Sequence, residues 1–251
     1  MATESLIAGY VLPVMSDLHL LVAGSTLVVY NIPGLVPRSY GEKRELPPFF
    51  LWRIGFAALG VLLAGITAIR LPGAMLGYAG ILGITAFAYF LPLLPIPQKK
   101  RLRDYGILKI LVLTTVWTLA TTLLPALYIN HPLTNYPFEI LLRFAFVFAL
   151  CVLFDLRDMQ TDKLRNINTV PNKIGINNSY RLVYGSLLLF ILLSVVQYYR
   201  FHVPGRLIAS VVTTVATVGV AAFARRNPGH GTFVLLTDGM MLLYATLVLL
   251  M

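Results

Sequence analysis

Long apolar runs separated by short polar segments make up almost the whole chain. A helix needs about 20 apolar residues to cross the hydrocarbon core of a bilayer. Eight runs approach that length, at roughly 17–36, 49–69, 73–95, 105–128, 137–157, 180–199, 204–224 and 232–251. The apolar segment 6–14 is too short to cross, and we expect residues 1–14 to be the remnant of a first helix. The pattern predicts an all-α integral membrane protein, a bundle of about eight to nine transmembrane helices in a single domain over residues 1–251.

Composition excludes a soluble globular domain. Hydrophobic residues make up 58% of the 251 residues and charged residues 12%, whereas a water-facing surface usually needs about 25% charged residues. The single cysteine, Cys151, excludes an internal disulfide and a cysteine-based metal cluster. The net charge of +10 would favour nucleic acid in a soluble protein, but here we expect no nucleic acid partner. Basic loops beside anionic membrane lipid explain the charge better.

The basic residues lie mainly in alternate loops. They concentrate at 37–47, 96–104, 158–179 and 225–231, while the other loops hold little beyond Arg70, Arg200 and Arg206. Under the positive-inside rule the basic loops face the cytoplasm. We therefore expect a multi-pass protein of the cell (inner) membrane.

Three carboxylates lie at the end of the fifth apolar run. If the helix continues through them, Asp155, Asp158 and Asp162 lie at i, i+3 and i+7 on one face. Such like charges repel each other unless cations lie between them, and Mg²⁺ prefers a few carboxylates together with phosphate oxygens. Arg157 and Lys163 are placed to neutralise a diphosphate directly. The alternative is a polar helix end whose acids are simply solvated.

This segment also resembles a known motif. The stretch from Asp155 to Lys163, DLRDMQTDK, followed by TVP at 169–171 and by Gly175, resembles the second aspartate-rich motif of the UbiA superfamily of intramembrane prenyltransferases. The resemblance implies a UbiA-like bundle that transfers an isoprenyl group from an isoprenyl diphosphate to an aromatic or lipid acceptor. It also implies that Mg²⁺ on Asp155, Asp158 and Asp162 draws off the diphosphate, assisted by Lys163.

The first motif of that family is present only in part. Asn31 lies where the motif begins, and the resemblance assigns it a role beside the leaving group. The positions that should hold aspartates read Ile32, Leu35 and Ser39.

Two consequences of these missing aspartates stay open. In the first, cationic side chains near Asn31 grip the diphosphate directly, since they can neutralise developing charge as a metal does; the candidates are Arg38, Lys43 and Arg44. In the second, the site has lost ionisation chemistry and binds a prenyl lipid without turnover.

Two further charged residues lie inside apolar runs. Lys109 either snorkels to the headgroups or points inward at the diphosphate. Asp238 either binds substrate or caps or pairs across a helix interface.

Two functions outside enzymology remain as alternatives. One is a non-catalytic prenyl-lipid-binding or scaffolding protein. The other is a small transporter, which predicts inverted repeats that the sequence does not show.

Overall fold

The computed structural model describes residues 16–32, 49–90, 105–129, 137–164, 167–226 and 230–250. Within these residues all regular secondary structure is helical. The helices are α1 (Asp17–Asn31), α2 (Phe50–Ala68), α3 (Gly73–Phe90), α4 (Gly106–Tyr128), α5 (Pro137–Leu164), α6 (Val170–Ile174), α7 (Ile176–Phe201), α8 (Pro204–Arg226) and α9 (His230–Leu250). The predicted all-α class is confirmed. The remnant helix predicted over 1–14 lies outside the described residues.

The predicted helix positions hold, but one predicted loop was wrong. α5 continues to Leu164 instead of ending at 157, because neither glycine nor proline interrupts residues 158–164. The loop predicted over 158–179 therefore contains the end of α5, the short helix α6 and the start of α7. Thr169 precedes α6 in an extended conformation and Pro171 lies in its first turn, where proline is tolerated.

Several of the described helices have the length and apolar composition of membrane spans. Among the described residues, α2, α4, α7 and α8 are long and apolar enough to cross a membrane. α3 and α9 each contain a shorter apolar stretch, Gly73–Tyr89 and Leu235–Leu250. Large apolar side chains are widely exposed, for example Leu51 at 79% and Val215 at 68%. Lipid can cover such a surface, whereas water would penalise it. The number of eight to nine spans stays a prediction.

Helices α1, α2 and α3 form one compact unit. α1 and α2 pack most closely, and a pair of glycines lies at their contact. A Cβ on Gly24 would come within 2.7 Å of the carbonyl oxygen of Gly60, and one on Gly60 within 2.6 Å of the carbonyl oxygen of Gly24. Small residues let helix backbones approach in this way in membrane proteins.

Helices α4 to α9 form the second unit, with α5 at its centre. The core contains an aromatic group from three helices: the rings of Phe146 and Phe190 lie 5.1 Å apart, and that of Tyr244 lies 5.5 and 5.4 Å from them. All three side chains are almost fully buried. This packing holds α5 in place, and the C-terminal end of α5 bears the aspartates. The single domain over 1–251 stays a prediction.

Candidate functional site

Lys109 of α4 bridges two of the aspartates of α5. Its Nζ lies 2.8 Å from Oδ1 of Asp155 and 2.9 Å from Oδ2 of Asp162. Asp155 and Asp162 are seven residues apart on one helix, so they lie on the same face about 10 Å apart along the axis. Both carboxylates are buried, and Lys109 is 15% exposed. One ammonium therefore serves as counter-ion to two carboxylates shielded from water.

A close backbone contact holds the start of α4 against the chain that follows α5. A Cβ on Gly106 would lie 1.6 Å from the carbonyl oxygen of Asn168, so only glycine fits there. The Ile167 amide donates to the carbonyl oxygen of Asp162 at 2.9 Å, which holds Ile167 beside the end of the helix. Lys109 lies one helical turn beyond Gly106. This contact therefore fixes the part of α4 from which the ammonium reaches the aspartates.

Asp158 has a different partner. Arg157 donates from Nε and a terminal nitrogen to the two oxygens of Asp158, both at 2.7 Å. The guanidinium also lies 5.1 Å from the centre of the Phe154 ring and attracts the carboxylate of Asp238 on α9 electrostatically. The three aspartates expected to act together are thus divided between an ammonium and a guanidinium.

The arrangement of these side chains decides whether a metal ion fits. Carboxylate oxygens are the ligands Mg²⁺ prefers, and Oδ2 of Asp155 is buried without a hydrogen-bond partner. However, no three His, Cys, Asp or Glu side chains within the described residues are grouped to hold a metal. Lys109 occupies the space between Asp155 and Asp162. As arranged, these residues do not fit a metal ion.

Comparison with known proteins bears on this fold. The chain is similar to the structure of a digeranylgeranylglyceryl phosphate synthase, with a TM-score of 0.60 and 14% identity over 99% of this chain and 88% of that one. It is also similar to the apo structure of a UbiA homolog from Aeropyrum pernix K1, with a TM-score of 0.68 and 14% identity over 99% of this chain and 94% of that one. The chain has the UbiA-type fold. No protein-family model and no curated protein sequence matches it.

The UbiA-type fold confirms the resemblance inferred from the aspartate motif, at the level of architecture. The similarity covers nearly the whole chain, so it extends well beyond the motif itself. Because the sequence identity is low, the similarity shows the fold alone. The substrate and the chemistry have to be inferred from the residues of this chain.

The other predicted site residues are distributed over this UbiA-type fold. Lys163 is exposed at the end of α5, and Asp238 is exposed on α9. Asn31 ends α1, where its Nδ2 donates to the carbonyl oxygen of Leu27 at 2.8 Å. It lines an open groove that also contains Arg53. The three basic residues expected near it, Arg38, Lys43 and Arg44, lie outside the described residues.

A second buried polar cluster in the UbiA-type fold was missed by the sequence reasoning. Glu139 of α5 accepts from Arg143 at 3.3 Å and from Gln197 of α7 at 2.7 Å. The Arg143 guanidinium lies 5.2 Å from the centre of the Tyr244 ring. Glu139 is fully buried and Arg143 is 7% exposed. The sequence did contain a signal for this cluster, namely two opposite charges at positions i and i+4 inside an apolar run.

Proposed function

We propose that this protein is an intramembrane prenyltransferase, which transfers an isoprenyl group from an isoprenyl diphosphate to an aromatic or lipid acceptor. The observation that carries the proposal is the cluster formed by Lys109 and the aspartates at the end of α5. Charged groups buried within membrane helices are costly and are typically functional. Here they lie within a UbiA-type fold, at the segment that resembles a diphosphate-binding motif.

The proposed reaction breaks the allylic carbon–oxygen bond, and its electron pair leaves with the diphosphate. The acceptor attacks the resulting allylic cation, forms the new bond and loses a proton. Lys109 and Arg157 stabilise the departing diphosphate by charge-assisted hydrogen bonds to its oxygens. Lys163 joins them from the end of α5, and Asp238 orients Arg157 through its charge.

Mg²⁺ is the cofactor that the resemblance implies, and it belongs to the proposal. The candidate ligands are Asp155, Asp158 and Asp162, whose oxygens are of the type that Mg²⁺ prefers. Because Lys109 and Arg157 hold these carboxylates in the present arrangement, no step of the reaction is assigned to the ion.

The end of α1 supplies further proposed contacts. Asn31 has an amide that can donate to a diphosphate oxygen. Arg38, Lys43 and Arg44 follow it in the sequence and offer positive charge near the positions where the family motif has aspartates. We assign them direct contact with the diphosphate.

The proposed location is the cell (inner) membrane, with the aspartate motif on the cytoplasmic side. It is supported by the alternation of basic and weakly charged loops along the chain. The isoprenyl diphosphate then enters from the cytoplasmic leaflet while its tail lies among the helices.

A second candidate function is binding of a prenyl lipid without turnover. It is favoured by the missing aspartates at positions 32, 35 and 39 and by the pairing of all three motif aspartates with basic side chains. A protein of this kind would hold the lipid and release no pyrophosphate.

The test is equilibrium binding of a labelled isoprenyl diphosphate to the purified protein, with and without Mg²⁺. We expect binding in the presence of Mg²⁺ to fall at least about tenfold in Asp158→Asn/Asp162→Asn, because these carboxylates are the candidate ligands of an ion that would bridge to the diphosphate. Asp17→Asn is the matched control, because Asp17 pairs with Arg70 on the surface of the other unit.

The outcomes separate the candidates. Release of pyrophosphate with an acceptor present supports the transferase, whereas binding without release supports the non-catalytic protein. Binding that is indifferent to Mg²⁺ and to the double substitution would overturn the proposed site.

A further inference from the structure

Exposed basic residues lie near the first turn of α7, where α6 and α8 also end. One comes from α6, one from α7 and two from the end of α8. The sequence contains no acid between Asp162 and Asp238, so α6, α7 and α8 carry no carboxylate side chain. The three helices therefore contribute only positive charge to this surface. We call it the basic patch, and its residues are Lys173, Arg181, Arg225 and Arg226.

Two arginines of the basic patch are held by neutral side chains. Arg225 donates to Oδ1 of Asn177 at 2.9 Å, and its guanidinium lies 5.3 Å from the centre of the Tyr180 ring. Arg181 donates to Oδ1 of Asn178 at 3.1 Å. Because Asn177 and Asn178 are consecutive residues, both guanidiniums lie beside the first turn of α7.

These two arginines differ from others in the described part of the chain. Arg70, Arg143 and Arg157 each lie within 3.4 Å of a carboxylate, which neutralises their charge. An amide oxygen orients a guanidinium but leaves its charge in place. A guanidinium also has five N–H donors, more than one amide oxygen can accept. The two arginines of the basic patch are therefore oriented and still able to bind an anion.

The face of α7 that bears Arg181 is apolar further along the helix. Leu188 and Leu192 follow Arg181 by about two and three helical turns, so all three lie on one side of α7. The two leucines are 60% and 54% exposed. α7 is long and apolar enough to cross a membrane, and the ends of a crossing helix lie at the level of the lipid headgroups. A positive end followed by an exposed apolar face matches a molecule with an anionic head and an acyl chain.

We propose that the basic patch binds the headgroup of an anionic membrane phospholipid, whose acyl chain lies along Leu188 and Leu192. The phosphate accepts charge-assisted hydrogen bonds from Arg181 and Arg225. Because these arginines belong to α7 and α8, the bound lipid holds the ends of two helices together. A zwitterionic lipid binds more weakly, since its own cationic group offsets the attraction between its phosphate and the patch.

The test is competition between two lipids for the purified protein in detergent. Phosphatidylglycerol and phosphatidylcholine with identical acyl chains are supplied in equal amounts, and native mass spectrometry counts the molecules that stay bound. We expect the wild type to retain mainly phosphatidylglycerol. Arg181→Gln/Arg225→Gln keeps polar side chains and removes both charges. It should lower the ratio of bound phosphatidylglycerol to phosphatidylcholine about tenfold or more.

The matched control removes two positive charges elsewhere. In Arg70→Gln/Arg200→Gln, one residue pairs with Asp17 in the other unit and the second lies at the opposite end of α7. This variant should keep the ratio of the wild type. An unchanged ratio in Arg181→Gln/Arg225→Gln would overturn the proposal. An equal fall in the control would also overturn it, because net charge rather than the basic patch would then be responsible.

A second measurement needs no variant. Phosphatidylglycerol should raise the midpoint of thermal unfolding of the wild type by several degrees more than phosphatidylcholine does, because a ligand that binds only the folded protein stabilises it. High salt should reduce this difference, since it screens exposed charges. Equal midpoints with the two lipids would contradict a site for an anionic headgroup.

A third measurement separates a lipid from a free phosphate. Glycerol phosphate carries the negative charge of the headgroup but has no acyl chain to cover Leu188 and Leu192. In excess, it should leave the bound phosphatidylglycerol in place. Displacement would show a site for free phosphate and would overturn the assignment to a lipid. None of these experiments contains an isoprenyl diphosphate, so their outcome does not depend on the proposed function.

Discussion

At the scale of single residues, this protein neutralises buried charge in two ways. Lys109 reaches from α4 to two carboxylates of α5, so that one cation serves two anions. Glu139 and Arg143 form a pair within α5, and Gln197 satisfies the second oxygen of Glu139. The first cluster has more acids than bases, whereas the second is a pair of opposite charges. Unbalanced buried charge is costly and typical of a functional site, and balanced charge suits a structural role.

Breaking the balanced pair should therefore destabilise the protein. Glu139→Leu leaves the Arg143 guanidinium buried without its counter-ion, and we expect a loss of about 3–5 kcal/mol in the free energy of unfolding. Glu139→Leu/Arg143→Met removes both charges and should recover a large part of that loss. Unfolding in detergent, followed by circular dichroism, measures both. A double variant no more stable than Glu139→Leu would contradict a structural charge pair.

At the scale of helices, the packing of α4 against the segment after α5 shapes the site. Gly106 admits the Asn168 carbonyl oxygen, and Lys109 follows one turn later. The same segment continues into α6, which the loop prediction missed. A backbone contact thus joins the segment after α5 to the start of α4. The same segment continues through α6 into α7.

A methyl group at position 106 should disturb this contact. Gly106→Ala places a Cβ 1.6 Å from the backbone oxygen of Asn168, so backbone must move. We expect a loss of about 1–3 kcal/mol in the free energy of unfolding, as overpacking typically produces. The site should change with it, because Lys109 lies on the displaced turn. Thermal unfolding and binding of the labelled isoprenyl diphosphate measure the two effects.

The control for this prediction is Gly185→Ala in α7, where an added Cβ meets no atom within 4 Å. Alanine favours a helix by about 1 kcal/mol over glycine, so this variant should be as stable as the wild type or more stable. Equal behaviour of the two variants would mean that the contact at Gly106 relaxes without cost.

At the scale of the whole molecule, the length and spacing of apolar runs predicted most of the fold. They located the long described helices to within a few residues at most ends, since a bilayer imposes a narrow range of lengths. The length and spacing of apolar runs could not predict which side chains pair with the aspartates. A helix that is apolar all round gives no signal for its rotation about its own axis. The sequence therefore left open whether the Lys109 side chain points toward lipid or into the bundle. The contact joins residues 46 positions apart, and only packing brings them together.

Membrane topology remains a prediction of the loop charges, and α7 allows a direct test. Its 26 residues extend about 39 Å, more than the roughly 30 Å of a hydrocarbon core. Exposed Lys173 and exposed His202 flank its two ends, so cysteines there should react with an impermeant maleimide from opposite sides. We expect His202→Cys to label in intact cells and Lys173→Cys only in inverted vesicles, which puts the aspartate motif in the cytoplasm. The unsubstituted protein is the control, since Cys151 is buried. The reverse pattern would invert the orientation, and labelling of both from one side would mean that α7 does not cross.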